Sequence, residues 1–278
     1  MAANLRELKT RIRTSTNIAQ IAKTLEMVSV SKIRRARGLA LTVRPYAQRM
    51  VSLLRTTLGA FPEGRPDHPF LRPKESSGRL VIALGPDKGL CGPLVGNIVR
   101  RMLDLVKGDT WLVTVGKRLV APAARSGARV VASFPVGGQM PRYSLVYELS
   151  RLAEEVITDG RASVLEVLFP RFESFFSQVV TVERMLPLED APAERREDAP
   201  PLEPDPRSLL DGLVPQVLET RLYDALLQTY ASENAARMVA MQNAKNNALD
   251  IAESFTLLYN KTRQERITSE ILDLANTG

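Results

Sequence analysis

Cysteine and histidine are almost missing from this chain: Cys91 and His68 are the only ones. One cysteine cannot form an internal disulfide, and a cytosolic setting is the simplest inference. A lone histidine in the proline-rich stretch 66–69, with no cysteine beside it, leaves no zinc-type ligand set. A Ser-His-Asp triad would have to use His68, and no nucleophile-elbow sequence accompanies it. Long apolar runs are missing too. No stretch approaches the roughly 18 consecutive apolar residues of a membrane span, and no apolar signal-peptide core follows Met1. Helical periodicity starts at once at Leu5, so the beginning is read as mature chain. Aromatic residues are 5% of the whole, and Tyr46 is the only one ahead of Phe61.

Acidic residues are scarce at the same end. Residues 1–60 carry twelve Lys/Arg against two acids, Glu7 and Glu26, although the whole chain has a net charge of only +7. A basic arm invites three partners: nucleic acid, an anionic membrane or an acidic protein surface. The scarcity of interleaved aromatics and of a recognised binding motif weighs against the first.

Glycine and proline are absent from residues 216–277, though both are frequent elsewhere. Gly costs about 1 kcal/mol and Pro about 3 kcal/mol inside a helix, so the gap permits one unbroken helix. At ~1.5 Å per residue it would run roughly 90 Å. Such a helix needs another long helix, a partner, or both. The other end supplies one. Leu5, Leu8, Ile12, Ser15, Ala19 and Ala22 follow the alternating three–four spacing of a coiled-coil seam, and Ile18, Ile21, Leu25 and Val28 repeat it on an adjacent face. Gly38 and Arg44-Pro45 interrupt the pattern, which leaves a kink there open, and the pattern resumes through Tyr46, Met50, Leu53 and Leu54. In the last helix two stripes compete: Ala244, Ala248, Ile251, Phe255 and Leu258 at coiled-coil spacing, and a ridge of Ala236, Ala240, Ala244, Ala248 and Ala252.

Between residues 79 and 186 the rhythm changes. Strands are predicted at 79–84, 110–115, 128–134, 163–169 and 176–185, and helices at 94–106, 119–126 and 143–158. The alternation gives a mostly parallel sheet with an antiparallel edge. The fold class is therefore α/β: a long antiparallel coiled coil of N- and C-terminal helices plus a central Rossmann-like α/β domain. The expected boundaries are 1–59 for the first helix, 74–188 for the α/β domain, 189–210 for an acidic, proline-rich loop, and 211–278 for the last helix.

The loop Gly85-Pro86-Asp87-Lys88-Gly89-Leu90-Cys91-Gly92 follows a strand and precedes a helix, where phosphate-binding loops sit. It lacks the GxxxxGK[ST] pattern, Pro93 removes a backbone donor, and no GxGxxG exists. Cys91 reads as a small buried or turn residue. No catalytic residue, metal ligand or cofactor is expected.

Specific residues appear at both ends and in the middle. The stretch Leu8-Lys9-Thr10-Arg11-Ile12 through Ile21-Ala22-Lys23-Thr24-Leu25-Glu26-Met27-Val28-Ser29, with Ser31-Lys32 and Arg44-Pro45-Tyr46-Ala47, resembles the first helix of F-type ATP synthase gamma subunits. Asp87-Lys88-Gly89-Leu90-Cys91-Gly92 looks like that family's DRGLCG motif. Ser232-Glu233, Ala235-Ala236-Arg237-Met238, Ala240-Met241, Tyr259-Asn260-Lys261, Arg263-Gln264, Ile267-Thr268 and Glu270 match its last helix.

The resemblance implies a bacterial-type rotor shaft: a coiled coil in the bore of an alpha/beta hexamer, above a domain that meets the epsilon subunit and the membrane-embedded c-ring. It implies a non-catalytic, single-copy subunit, peripheral to the cytoplasmic face of the plasma membrane, and a chain that behaves poorly in isolation. By position, Lys9, Leu25, Arg34, Arg35, Arg263, Gln264 and Thr268 match residues contacting the hexamer, and Glu203 and Asp205 match the segment near the c-ring. A shaft that must turn is expected to show a charged, small-residue exterior. Departures from the pattern are Gly85-Pro86 ahead of Asp87, Pro93 after Gly92, Leu25 in place of a common Met, and Leu202 in place of a common aromatic. The competing reading is a nucleic-acid-binding coiled coil using the basic arm. A small α/β enzyme with dimerisation arms is disfavoured by the missing site chemistry.

Overall fold

A computed structural model describes residues 5–61, 66–137, 140–188 and 202–276. The elements run α1 (Leu5–Gly59), β1 (Arg79–Leu84), α2 (Leu94–Leu105), β2 (Thr110–Val115), α3 (Lys117–Ala124), β3 (Arg129–Phe134), α4 (Tyr143–Thr158), β4 (Val164–Phe172), β5 (Gln178–Leu186) and α5 (Pro206–Asn276). The chain divides into two compact units, Ser31–Ala236 and Met1–Val30 with Arg237–Gly278. Both α1 and α5 contribute to each unit.

In the larger unit the sheet order is β3-β2-β1-β4-β5. β1 pairs in parallel with β2 and β4, β2 with β3, and only β5 is antiparallel. Strands buried on both sides alternate between two cores. Leu80, Ile82 and Leu84 of β1 face one core with Val146, Leu149 and Ala153 of α4, Met50, Leu54 and Leu58 of α1, and Leu210, Val214 and Leu218 of α5. Val81 and Ala83 face the other, with Leu94, Ile98 and Met102 of α2 and Leu119 of α3. The β4–β5 hairpin is tied to α5 by polar contacts. Arg221 donates to Glu183 and to the Arg184 carbonyl, both at 3.0 Å, and the Ser232 hydroxyl donates to the Pro170 carbonyl at 2.8 Å.

One expectation about a helix end is corrected: α5 begins at Pro206, ahead of the expected 211, taking in Gly212 and Pro215, while α1 carries Gly38 and Pro45 within Leu5–Gly59. A proline inside a helix costs about 3 kcal/mol. In α1 the residues just beyond it, Met50, Leu54 and Leu58, bury against the sheet core; in α5 Leu210, Val214, Leu218 and Leu222 surround Pro215. Burying one such side chain contributes about 2 kcal/mol, so a few of them outweigh the proline. Of the acidic loop expected over 189–210, residues 189–201 lie outside the described residues.

The smaller unit is an antiparallel helix pair. Arg11 of α1 lies over the Phe255 ring of α5, and Glu26 pairs with Lys245 at 2.8 Å, so early residues of one helix meet late residues of the other. The buried side chains of α1 here are Leu8, Ser15, Ala19, Ala22 and Ser29; those of α5 include Met241, Ala248 and Ala252. The first expected stripe is thus the seam. The second is not: Ile18, Ile21 and Val28 are 49%, 61% and 46% exposed. On α5 neither stripe is the whole seam: Met241, Ala248 and Ala252 are buried, Ala240, Ala244 and Phe255 are half-buried, and Ile251 and Leu258 of the rival stripe are exposed. Small side chains let two backbones approach closely, and the larger ones are left outside. The expected exterior of charges and small residues is corrected accordingly: it carries large apolar side chains as well.

His68 gives the larger unit a pH-sensitive fastening. Its Nδ1 accepts the Phe70 N–H at 3.1 Å, and Phe70 is wholly buried; the Phe70 carbonyl accepts from Leu188 N–H at 2.9 Å. Burial, outweighing Asp211 and aided by Arg207, holds the imidazole below its ordinary pKa. A histidine with a lowered folded pKa costs stability once protonated. Stability is therefore full above the unfolded value of about 6.5 and declines as pH falls through the folded value. A His68→Gln variant is expected to lose this dependence: its melting temperature should match at pH 5.0 and 7.0 more closely than the parent's, as differential scanning calorimetry at both pH values would read.

Candidate interaction surfaces

The phosphate-loop position at the carboxyl ends of β1, β2 and β3 is occupied from within. Asp87 Oδ1 accepts the Lys117 N–H at 2.9 Å and the Val136 N–H at 3.1 Å, and Oδ2 accepts the Gly137 N–H at 2.7 Å. Lys117 is the first residue of α3, so the carboxylate sits where the unpaired N–H groups of a helix start favour an anion. The approach is close: a Cβ on Gly116, whose φ is +111°, would lie 2.2 Å from the Gly85 oxygen. That explains Gly85 ahead of the Asp87 motif, because a side chain there would also meet Leu119 at 2.8 Å. Pro93 caps the start of α2, where a missing N–H costs nothing. Cys91 is buried in the second core, as a small turn residue should be. Leu90 is held at φ +63° with its side chain 64% exposed.

The residues singled out from sequence fall on different elements. Lys9, Arg34, Arg35, Arg263, Gln264 and Thr268 are exposed, and Leu25 is half-buried. Lys9, Leu25, Arg263, Gln264 and Thr268 belong to the smaller unit, Arg34 and Arg35 to the larger. Residues 263–272 are exposed on every face of α5, and Ile267, Ile271 and Leu272 are among them. Sequence reasoning takes Ile18, Ile21 and Val28 for a second seam stripe and passes over Ile271 and Leu272; periodicity alone does not say which of two stripes lies outside.

Glu203 and Asp205 are both exposed, but they differ in what holds them. Asp205 is the cap of α5: Oδ1 accepts N–H groups from Arg207 at 2.9 Å and Ser208 at 3.0 Å, and Oδ2 accepts the Ser208 hydroxyl at 2.6 Å. The Ser208 hydroxyl bond, more than any other contact, holds its carboxyl below the usual range. Asp-Pro at a helix start is a local rule that the sequence offered, since the cap accepts and the proline needs no donor. Nearby on the larger unit, Tyr143 donates to Glu219 at 2.6 Å and stacks edge-on against Tyr223. Burial first, then that carboxylate, raises the Tyr143 hydroxyl's pKa. Among the described residues no group of His, Cys, Asp and Glu could hold a metal ion, and no helix is long and apolar enough to cross a membrane.

Two long terminal helices bracketing a doubly wound domain with a self-filled anion position define a protein that works by contact with others. Comparison with known proteins gives that class a family. A family model described as ATP synthase matches residues 4–277. The ATP synthase gamma chain of Opitutus terrae is 34% identical, over 98% of this chain and 97% of its own. That of Roseiflexus castenholzii is 36% identical, over 98% and 96%. The fold is shared with a chain of the Euglena gracilis mitochondrial ATP synthase at a TM-score of 0.71 and 20% identity, covering 98% of this chain and 93% of that one. A chain of the Tetrahymena thermophila mitochondrial central stalk and c-ring matches at 0.60 and 25% identity, covering 81% and 99%. The chain belongs to the gamma-chain family of ATP synthases. The rival reading as a nucleic-acid binder finds no support among these relatives.

Two variants separate structural roles from contact roles. Asp87→Ala should cost about 2 kcal/mol, because hydrogen bonds to a charged acceptor are lost. Amide exchange at Lys117, Val136 and Gly137 should quicken together, and exchange unchanged at all three would refute the clasp. Asp205→Ala should speed exchange over residues 206–210 and lower the melting temperature, while Asp205→Asn, which keeps a capping oxygen, should do so far less. Because the folded carboxyl is the more acidic, that stabilisation is present above the unfolded pKa of about 3.9 and fades as pH falls below it.

Proposed function

We infer that this chain is the central rotor shaft of an F-type ATP synthase, coupling ion-driven rotation of a membrane ring to ATP synthesis and hydrolysis in a surrounding hexamer. The observation that carries the reading is the end-to-end relation to gamma chains, which spans both long helices and the domain between them. The physical features agree with it. Two wound helices resist twisting better than one. The small-residue seam brings the backbones close, and the surface left over mixes basic residues with Ile18, Ile21, Val28 and Ile251.

On this reading the chain performs no chemistry. Lys9, Leu25, Arg34, Arg35, Arg263, Gln264 and Thr268 face alpha and beta subunits, with the basic arm of residues 1–60 meeting acidic loops. Glu203 meets the polar loops of the c-ring, and Asp205 serves that contact by starting α5 rather than by touching the ring with a free carboxylate. The α/β domain carries the epsilon subunit. The complex holds one copy, peripheral to the cytoplasmic face of a bacterial plasma membrane. Outward-facing apolar side chains suit a partner that surrounds the shaft loosely, because each burial is small and can be exchanged for the next as the shaft turns.

Reconstitution with alpha and beta subunits from the same source tests this. The chain should enter in one copy per hexamer and stimulate ATP hydrolysis. Truncation after Tyr259 should weaken assembly or uncouple hydrolysis from rotation at least several-fold. A chain that ignores the hexamer but binds DNA with steep salt dependence would overturn the reading.

A further inference from the structure

Over residues 15–29 the first helix of the smaller unit turns inward a face that hydrophobicity alone would leave outside. On α1 the seam positions after Ile12 are Ser15, Ala19, Ala22, Glu26 and Ser29. One residue earlier in each case, about 100° round the helix, lie Thr14, Ile18, Ile21, Leu25 and Val28. The second set is larger and more apolar, yet Ile18, Ile21 and Val28 are exposed while Ala19, Ala22 and Ser29 are buried to 4% or less exposure. On α5 the seam runs through Met241, Lys245, Ala248, Ala252 and Phe255, with Leu249, Ile251 and Leu258 outside. Rotating α1 by one residue over this stretch would bury more apolar surface, whereas on α5 the residues one place earlier, Ala240, Ala244, Asn247, Ile251 and Ser254, are more polar than the seam it has.

One contact opposes that rotation by charge. Glu26 and Lys245 both occupy seam positions, and their side chains meet at 2.8 Å with only 22% and 24% of their surface exposed. A polar pair at a coiled-coil seam position selects one arrangement at some cost in stability. Turned away from each other, the two groups would lose their partner, while the alanines beside them would gain or lose little.

We propose that the Glu26–Lys245 pair is the positioning element that selects which face of α1 turns inward over residues 15–29, keeping the small-residue seam closed and the bulky apolar stripe outward. The claim about packing concerns this chain alone. Its consequence for torque rests on the rotor reading: the outward stripe is the surface offered to the hexamer, and the pair determines that it is offered.

The test uses the full-length chain in a Cys91→Ala background, with single cysteines at Ile21 or Ala22 and maleimide labelling rates as the readout. With the native pair, Ile21→Cys should label fast and Ala22→Cys slowly. In the Glu26→Ala/Lys245→Ala variant, whose alanines keep helix propensity high, the order should move toward the reverse, each rate shifting by about tenfold, as a preference of roughly 1.4 kcal/mol would give. The charge swap Glu26→Lys/Lys245→Glu should keep the native pattern. An unchanged pattern in the alanine pair overturns the proposal, and so does fast labelling at both positions, which would mean the pair only holds the helices together. In the complete synthase, membrane ring included, reconstituted into sealed vesicles, the alanine pair should pump fewer ions per ATP and the swap should not. Altered labelling with unchanged pumping would overturn the link to torque. Failure of the parent chain to join the hexamer would count against the rotor reading while leaving the labelling result intact.

Discussion

Two helices from opposite ends of the chain touch through side chains hardly larger than a methyl group, and the build of the smaller unit answers to that contact. Ala19, Ala22, Ala248 and Ala252 bring backbones close but bury little area each. Such a seam is stiff without being strongly adhesive. Its specificity must come from elsewhere, and a half-buried ion pair in the seam provides it. The bulky aliphatic residues that would ordinarily make a core are displaced to the outside, where they become contact surface.

The α/β unit follows a different logic. Its parallel strands are buried on both faces and alternate between two cores, so its stability is that of an ordinary doubly wound sheet. Such sheets commonly bind anions at the carboxyl ends of their strands. Here Asp87 fills that position with the chain's own carboxylate, and the close approach of Gly85 to Gly116 locks the turn around it. The fold keeps the geometry of a phosphate loop and uses it as a clasp.

Two charged groups fix the placement of α5. Asp205, expected from resemblance to be a ring contact, spends its oxygens on the first turn of α5. Arg221 holds α5 to the edge strand β5. In both cases a charged residue on a long helix is used to fix where the helix starts or lies, which matters for an element of 71 residues whose ends are otherwise free to wander.

Much of this was legible in the residues. The absence of Gly and Pro over 216–277, the three–four spacing from Leu5 to Ala22, and the alternating apolar runs of residues 79–186 gave the element order, the parallel sheet with its antiparallel edge, and the buried Cys91. Local rules failed where tertiary burial outweighed them. Pro45 and Pro215 did not stop their helices, because Met50, Leu54, Leu210 and Leu218 gain more against the sheet than a proline costs. The choice between the two stripes on α1 was not readable either, since both have the correct period and the more apolar one is the one left outside. By itself the sequence determined which segments are helix or strand, because periodicity and propensity act within a few residues. Only the tertiary structure decided which helix face turns inward and which loop oxygen fills the anion position, because both depend on groups more than a hundred residues apart, or in separate loops, meeting in space.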